Sequence, residues 1–97
     1  MKVYVISFIK SFPDDLMERS CEVFTDKIKA NDYFVTTKNN YIDKYIQRMK
    51  DVFDSENDSI YDCGCVTETN NFWQFVESYG QEEVLIILEE KEVKVCE

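Results

Sequence analysis

The sequence predicts an α+β fold of two layers, in which an antiparallel or mixed sheet of about four strands carries two or three helices on one side. Three observations predict it. Lys2-Val-Tyr-Val-Ile-Ser-Phe-Ile9 is a run of β-branched and aromatic residues, apolar on both alternating faces, as a central strand requires. Tyr41–Phe53 puts apolar residues at 41, 42, 45, 46, 49, 52 and 53, the i, i+3, i+4 spacing of an amphipathic helix. Glu83–Val95 returns to strand chemistry, and its first half, Val84–Leu88, is again apolar on both faces. Ninety-seven residues hold these patterns in one domain, residues 1–97, with the order β-β-α-α-β-α-β.

Each element has a local reason. Ser11-Phe-Pro-Asp-Asp15 has the turn residues that stop the first strand, and Glu18–Phe24, with Cys21 and Val23 on one face, reads as the second. Thr25 or Asp26 then supplies an N-cap for a helix over Lys27–Phe34. Val35-Thr-Thr-Lys-Asn-Asn40 consists of poor helix formers, and Asn39 or Asn40 can cap the next helix, over Tyr41–Phe53; the pattern leaves open whether the two are separate or one long kinked rod. Residues 55–59 read as a loop, Ile60–Val66 as a strand and Thr67–Asn71 as a turn. Phe72–Tyr79 fits two periods: a short helix closed by Gly80 at C′, or a strand alternating through Trp73, Phe75 and Tyr79. The helix is the favoured reading.

Composition narrows the function. The chain carries 11 basic and 20 acidic residues, a net charge of −9, so phosphate-rich partners such as nucleic acid or an anionic membrane would be repelled. The longest uninterrupted apolar stretch, Val84–Leu88, is far short of the ~20 residues of a membrane span, and no export signal is legible. A cytoplasmic protein with reduced thiols is therefore expected. Histidine is absent, which removes the usual general base and the commonest zinc ligand. With no phosphate-cradling glycine loop and no nucleophile elbow, the sequence argues against an enzyme.

Two local motifs fall short of a metal site, and no cofactor is expected. Cys63-Gly-Cys65 could join Cys21 and Cys96 around zinc, or act as a dithiol, but the spacing is not that of paired knuckles. Asp54–Cys65 begins like a calcium loop, then has Ser59 where the glycine belongs and Cys65 where the bidentate glutamate belongs. The aromatic group Phe72, Trp73, Phe75 and Tyr79 reads as core, with Trp73 and Tyr79 as the alternative interface anchors.

The charge layout is the most informative feature. Residues 1–50 carry a net +2, whereas residues 51–97 carry −11. Between Lys50 and Lys91 eleven acids occur with no lysine or arginine at all, spaced among core-forming residues. A folded array of this kind imitates a nucleic-acid backbone, whose charges recur every ~1.7 Å of duplex axis. Asp51, Asp54 and Asp58 share one side of a helix if the second helix runs that far. Such a surface would compete for a basic groove, with steering by charge and sensitivity to salt.

The opening Met1-Lys-Val-Tyr-Val-Ile and the later Val23-Phe-Thr-Asp-Lys27, with Ala30 and Tyr33, resemble small uncharacterised proteins of phages and mobile elements. The resemblance covers the first third of the chain and rests on a strand, a cap and a helix start. It implies a small phage-type α+β module, a class that includes anti-CRISPR and other DNA-mimic inhibitors of host defence. The combined expectation is a non-enzymatic inhibitor in the host cytoplasm that binds a nucleic-acid-handling host protein, most concretely a CRISPR effector. The expected contacts are Asp51, Asp54, Glu56, Asp58, Asp62, Glu68, Glu77, Glu82 and Glu83. The alternative is a phage structural or interaction protein that forms a homodimer or larger homo-oligomer.

Overall fold

A computed structural model describes residues 1–11, 17–54, 56, 58–78 and 82–94. The α+β class and the two layers are as expected, but among the described residues the sheet has five strands and the second layer is one long helix. The strands are β1 (Lys2–Ser11), β2 (Met17–Phe24), β3 (Gly64–Thr69), β4 (Phe72–Glu77) and β5 (Glu83–Glu92). They are antiparallel throughout, in the spatial order β2-β1-β5-β4-β3. The two strands that are apolar on both faces, β1 and β5, pair along their whole length from Lys2↔Glu92 to Ser11↔Glu83 and form the middle of the sheet. The turn at residues 12–15 and the Gly80 cap lie outside the described residues.

Of the two arrangements that the interruption at 35–40 leaves open, the structure has one continuous helix, α1 (Lys27–Phe53), where the fold class counted two. Poor helix formers cost at most ~0.7 kcal/mol each. That local cost is outweighed because Ala30, Phe34, Tyr41 and Tyr45 keep one continuous stripe buried against the sheet. Asn39 and Asn40 stay helical and exposed. Asp26 is the N-cap: its side-chain oxygen accepts from the backbone N–H of Ile28 at 2.8 Å and of Lys29 at 3.4 Å. Asp54 ends the helix in the left-handed region (φ 52°, ψ 32°), with its N–H donating to the Met49 carbonyl. A short polar side chain makes that conformation accessible.

The helix lies on the sheet face that presents Tyr4, Ile6 and Phe8 of β1, Val84, Ile86 and Leu88 of β5, and Trp73 and Phe75 of β4. The Tyr41 ring packs edge-on to Trp73 at 5.8 Å between centroids, and Tyr45 packs likewise on Phe75 at 5.0 Å. This packing decides the ambiguous segment. Residues 72–77 form a strand, not the favoured helix, because alternation buries both Trp73 and Phe75 completely under α1 while β4 pairs on both sides. Trp73 Nε1 is the one buried side-chain polar atom without a partner among the described residues.

The strand expected over Ile60–Val66 is split. Ile60–Asp62 is a short 3-10 turn, capped by Ser59, that buries Ile60 under the core. The strand starts only at Gly64 and runs to Thr69, which shortens the turn at residues 70–71. A Cβ at Gly64 would meet the Val76 carbonyl oxygen at 2.1 Å, so glycine permits the close approach of β3 to β4 there. No helix among the described residues is long and apolar enough to cross a membrane.

Candidate functional site

A helix of 27 residues is ~40 Å long, whereas a ten-residue strand spans ~33 Å. Tyr45 reaches Glu77, the last residue of β4, and Arg48 reaches Glu82, just before β5, so the last turn of α1 runs past the strand ends. The molecule measures 57 × 28 × 20 Å. Val52 and Phe53, which the sequence pattern assigns to the buried stripe, are 65 % and 68 % exposed. Tyr61, on the 3-10 turn that follows, is 60 % exposed. Sequence reasoning missed the exposure of these three apolar side chains, because helical periodicity records phase and not where the supporting sheet ends.

The expected acids gather around them in part. Asp51 lies in the last turn of α1 and accepts from Gln47 Nε2 at 2.9 Å. The helix stops at Phe53, so Asp51, Asp54 and Asp58 do not share a helical face. They are instead grouped by the chain turning back, since Lys50 Nζ pairs with Asp58 and ties the loop to the helix end. That ammonium holds the Asp58 carboxyl below the usual carboxylate range, first by hydrogen bond and then by charge. Among the described residues, the carboxylates of Asp54, Glu56 and Asp62 have no hydrogen-bond or ion-pair partner. Glu68, next to the last residue of edge strand β3, accepts from Tyr61 Oη at 3.0 Å and faces Lys38 Nζ at 3.9 Å. Hydrogen bonding to Glu68 raises the Tyr61 hydroxyl pKa.

Three of the nine expected contacts belong elsewhere. Glu82 is buried, at 5 % exposure, and serves the fold. It accepts from Tyr41 Oη at 2.5 Å and Arg48 Nη2 at 2.9 Å, with Lys10 Nζ at 3.6 Å. Burial alone would raise its pKa, but hydrogen bonds from Tyr41 and Arg48, and the charges of Arg48 and Lys10, reverse this and hold it low. Burial, then the bond to Glu82, pushes the Tyr41 hydroxyl far above its usual value. Glu77 is turned inward as well, accepting from Tyr45 Oη, and Arg48 lies 5.2 Å over the Tyr45 ring. Glu83 projects from the opposite face of the sheet, where it accepts from Gln74 Nε2 at 2.8 Å.

The cysteines are also separated. Cys21 and Cys65 lie on the two edge strands, β2 and β3, four inter-strand spacings or ~19 Å apart. Cys63 precedes β3 instead of sharing a strand face with Cys65, and it is buried in the core. Cys96 lies outside the described residues. Among the described residues no group of three or more potential ligands is placed to hold a metal ion.

The electrostatic result is a partial sorting of charge. Lys10, Lys44 and Arg48 line a groove between α1 and strands β1 and β2 together with Glu18, and Glu82 pairs with Lys10 and Arg48. Of the carboxylates without an ion-pair or hydrogen-bond partner among the described residues, Asp54, Glu56 and Asp62 follow the end of α1, whereas Glu18 and Glu22 lie on β2 and Asp32 and Asp43 along α1. The negative end of the helix macrodipole adds to the group at the helix end, which makes Asp51 and Asp54 locally unfavourable by ~0.3–1 kcal/mol each. No family model, no curated protein and no solved structure matches this chain.

Proposed function

We propose that the protein is a non-enzymatic binding protein that docks its acidic helix end into a basic, nucleic-acid-binding groove of another protein and so blocks that groove. The supporting observation is the combination at this end: exposed Phe53, Val52 and Tyr61 set among Asp51, Asp54, Glu56, Asp58 and Asp62. Carboxylates at the negative end of a helix weaken the fold, so stability does not account for their position. A ring of charge around exposed aromatic groups is the arrangement by which interfaces combine fast, steered encounter with a desolvated anchor. The resemblance of the first third to phage and mobile-element proteins favours an inhibitor of host defence, and a CRISPR effector in the host cytoplasm is the most concrete target with such a groove. Glu68 extends the contact along edge strand β3; Glu77, Glu82 and Glu83 are not part of it.

The test is capture of partners from host lysate at low salt, followed by inhibition assays on what is captured. Binding should fall steeply as salt rises and should be lost when Asp54, Glu56 and Asp58 are together changed to lysine. Phe53→Ala should weaken it by ~30-fold or more while leaving the salt dependence in place. Undiminished inhibition by the triple lysine variant would sink the proposal.

A further inference from the structure

The face of the sheet turned away from α1 has no element packed on it among the described residues, and its chemistry is not that of a solvated face. An antiparallel sheet covered on one side ordinarily alternates apolar and polar residues. Here β1 and β5 do not alternate. Val5, Ile9, Leu85 and Ile87 project to the open side, joined by Phe72 and Val76 of β4, and none of them belongs to the core under the helix. Five positions on each of β1 and β5, four on β2 and three on each of β3 and β4 face this way, twenty in all. A standard protein interface uses about 20–30 residues a side, so this face alone is large enough.

Charge identifies the occupant. In a chain of net charge −9, the open face carries two cations, Arg19 and Lys91, and two carboxylates, Glu83 and Glu89. It is neutral, so a basic partner has no reason to choose it, and two copies of an acidic protein can approach there without the repulsion they meet elsewhere. Arg19 lies on edge strand β2, and Glu83 and Lys91 lie near the ends of β5. Glu89, two residues from Ile87, is 4.0 Å from Lys91 Nζ of its own chain, so the position nearest the middle that carries a charge is already paired. Glu83 and Lys91 stand at opposite ends of the central strand, eight residues or ~26 Å apart, with Ile87 midway between them. A two-fold axis across β5 at Ile87 would lay β5 on its own copy in reverse and bring each Glu83 to the partner's Lys91.

We infer that the open face is the interface of a two-fold homodimer in which two sheets pack face to face, centred on Ile87 and closed at both ends by Glu83–Lys91 pairs. The inner side chains interdigitate as in a β-sandwich, with the sheets ~10 Å apart. Ser7, hydrogen-bond register partner of Ile87, sits beside the axis and faces its own copy. Both α1 helices lie outside, so the acidic ends stay free.

Sedimentation equilibrium across a concentration series tests this. The wild-type mass should rise to twice 11.6 kDa. Ser7→Lys adds two facing cations without removing any apolar contact from a monomer, so it should remain folded by circular dichroism and weaken dimerisation by ~10-fold or more. Glu83→Lys and Lys91→Glu should each weaken it, and the double variant should restore it. A wild-type chain that stays monomeric to its solubility limit overturns the inference. A dimer indifferent to Ser7→Lys overturns it too, and so does a dimer whose double charge swap fails to recover, since either would pair through another surface or in another orientation. None of these readouts involves Asp54, Glu56 or Phe53, so the proposed docking function stands or falls separately.

Discussion

On the helix side of the sheet, Ile6, Trp73, Phe75, Val84 and Ile86 are at most 1 % exposed; one residue further along the same strands, Val5, Ile9, Phe72, Leu85 and Ile87 remain only half-buried. The two sets differ little in composition. What separates them is α1, which covers one face and adds the aromatic contacts of Tyr41 and Tyr45. The comparison teaches that an apolar strand pattern reports how a sheet is meant to be covered, while a single chain can supply the cover for one side only. The side without cover is the one on which the proposed dimer rests.

The largest effects should fall on the covered face. Trp73→Ala or Phe75→Ala removes a wholly buried ring and should cost about 3–5 kcal/mol in denaturant unfolding. Ile87→Ala on the open face should cost much less at high dilution, with a penalty that grows with protein concentration as the dimer forms. Equal, concentration-independent losses on the two faces would break the comparison.

Gly64→Ala tests the corner where β3 meets β4 under the helix end. The added methyl group would overlap a backbone oxygen, so the strands must shift, at about 3 kcal/mol measured by chemical denaturation.

Next is the polar margin of the covered face. Glu82→Gln should lower stability at neutral pH by about 2 kcal/mol, because Arg48, Lys10 and Tyr41 lose their buried counter-charge. The folded carboxyl is held low, so its contribution is present above the unfolded value of ~4.3 and is lost as pH falls through the folded value. Urea midpoints of the wild type and Glu82→Gln should therefore converge in acid. Tyr41 and Tyr45 run the other way. Their hydroxyl pKa values are raised in the fold, so that contribution is intact below pH ~10 and declines above it. Alkaline titration followed by tyrosinate absorbance should show both ionising only as the protein unfolds.

The smallest effect belongs to the cap of the covering helix. Asp26→Ala removes an acceptor for two backbone N–H groups and should cost about 1 kcal/mol in thermal unfolding, leaving association through the open face unchanged.

Much of the fold was legible in local pattern. The strands at both ends of the chain, their central position, the Asp26 cap and the α+β class follow from side-chain shape and alternation, which act over a few residues. The sequence left one rod or two helices undecided, because Val35–Asn40 argues for a break locally and is overruled by burial of Phe34 and Tyr41 on either side. Residues 72–77 satisfied two periods equally well, and only pairing with β3 and β5 selected the strand. For the acidic surface, the sequence shows the excess of carboxylates but not their orientation. Glu82 and Glu77 look like Glu56 in the sequence, yet the first is bound by Arg48 and the second by Tyr45.

The sequence by itself determined that this chain is an acidic α+β domain with two doubly apolar strands and its negative charge in the second half. Those are properties of composition and short-range spacing. Only the tertiary structure decided that the helix overhangs the sheet and exposes Phe53, that Glu82 is enclosed, and that Ile87 faces away from the core. Each depends on which distant residue lies alongside, and in a chain of fixed local pattern that is set by how the layers come together to exclude water.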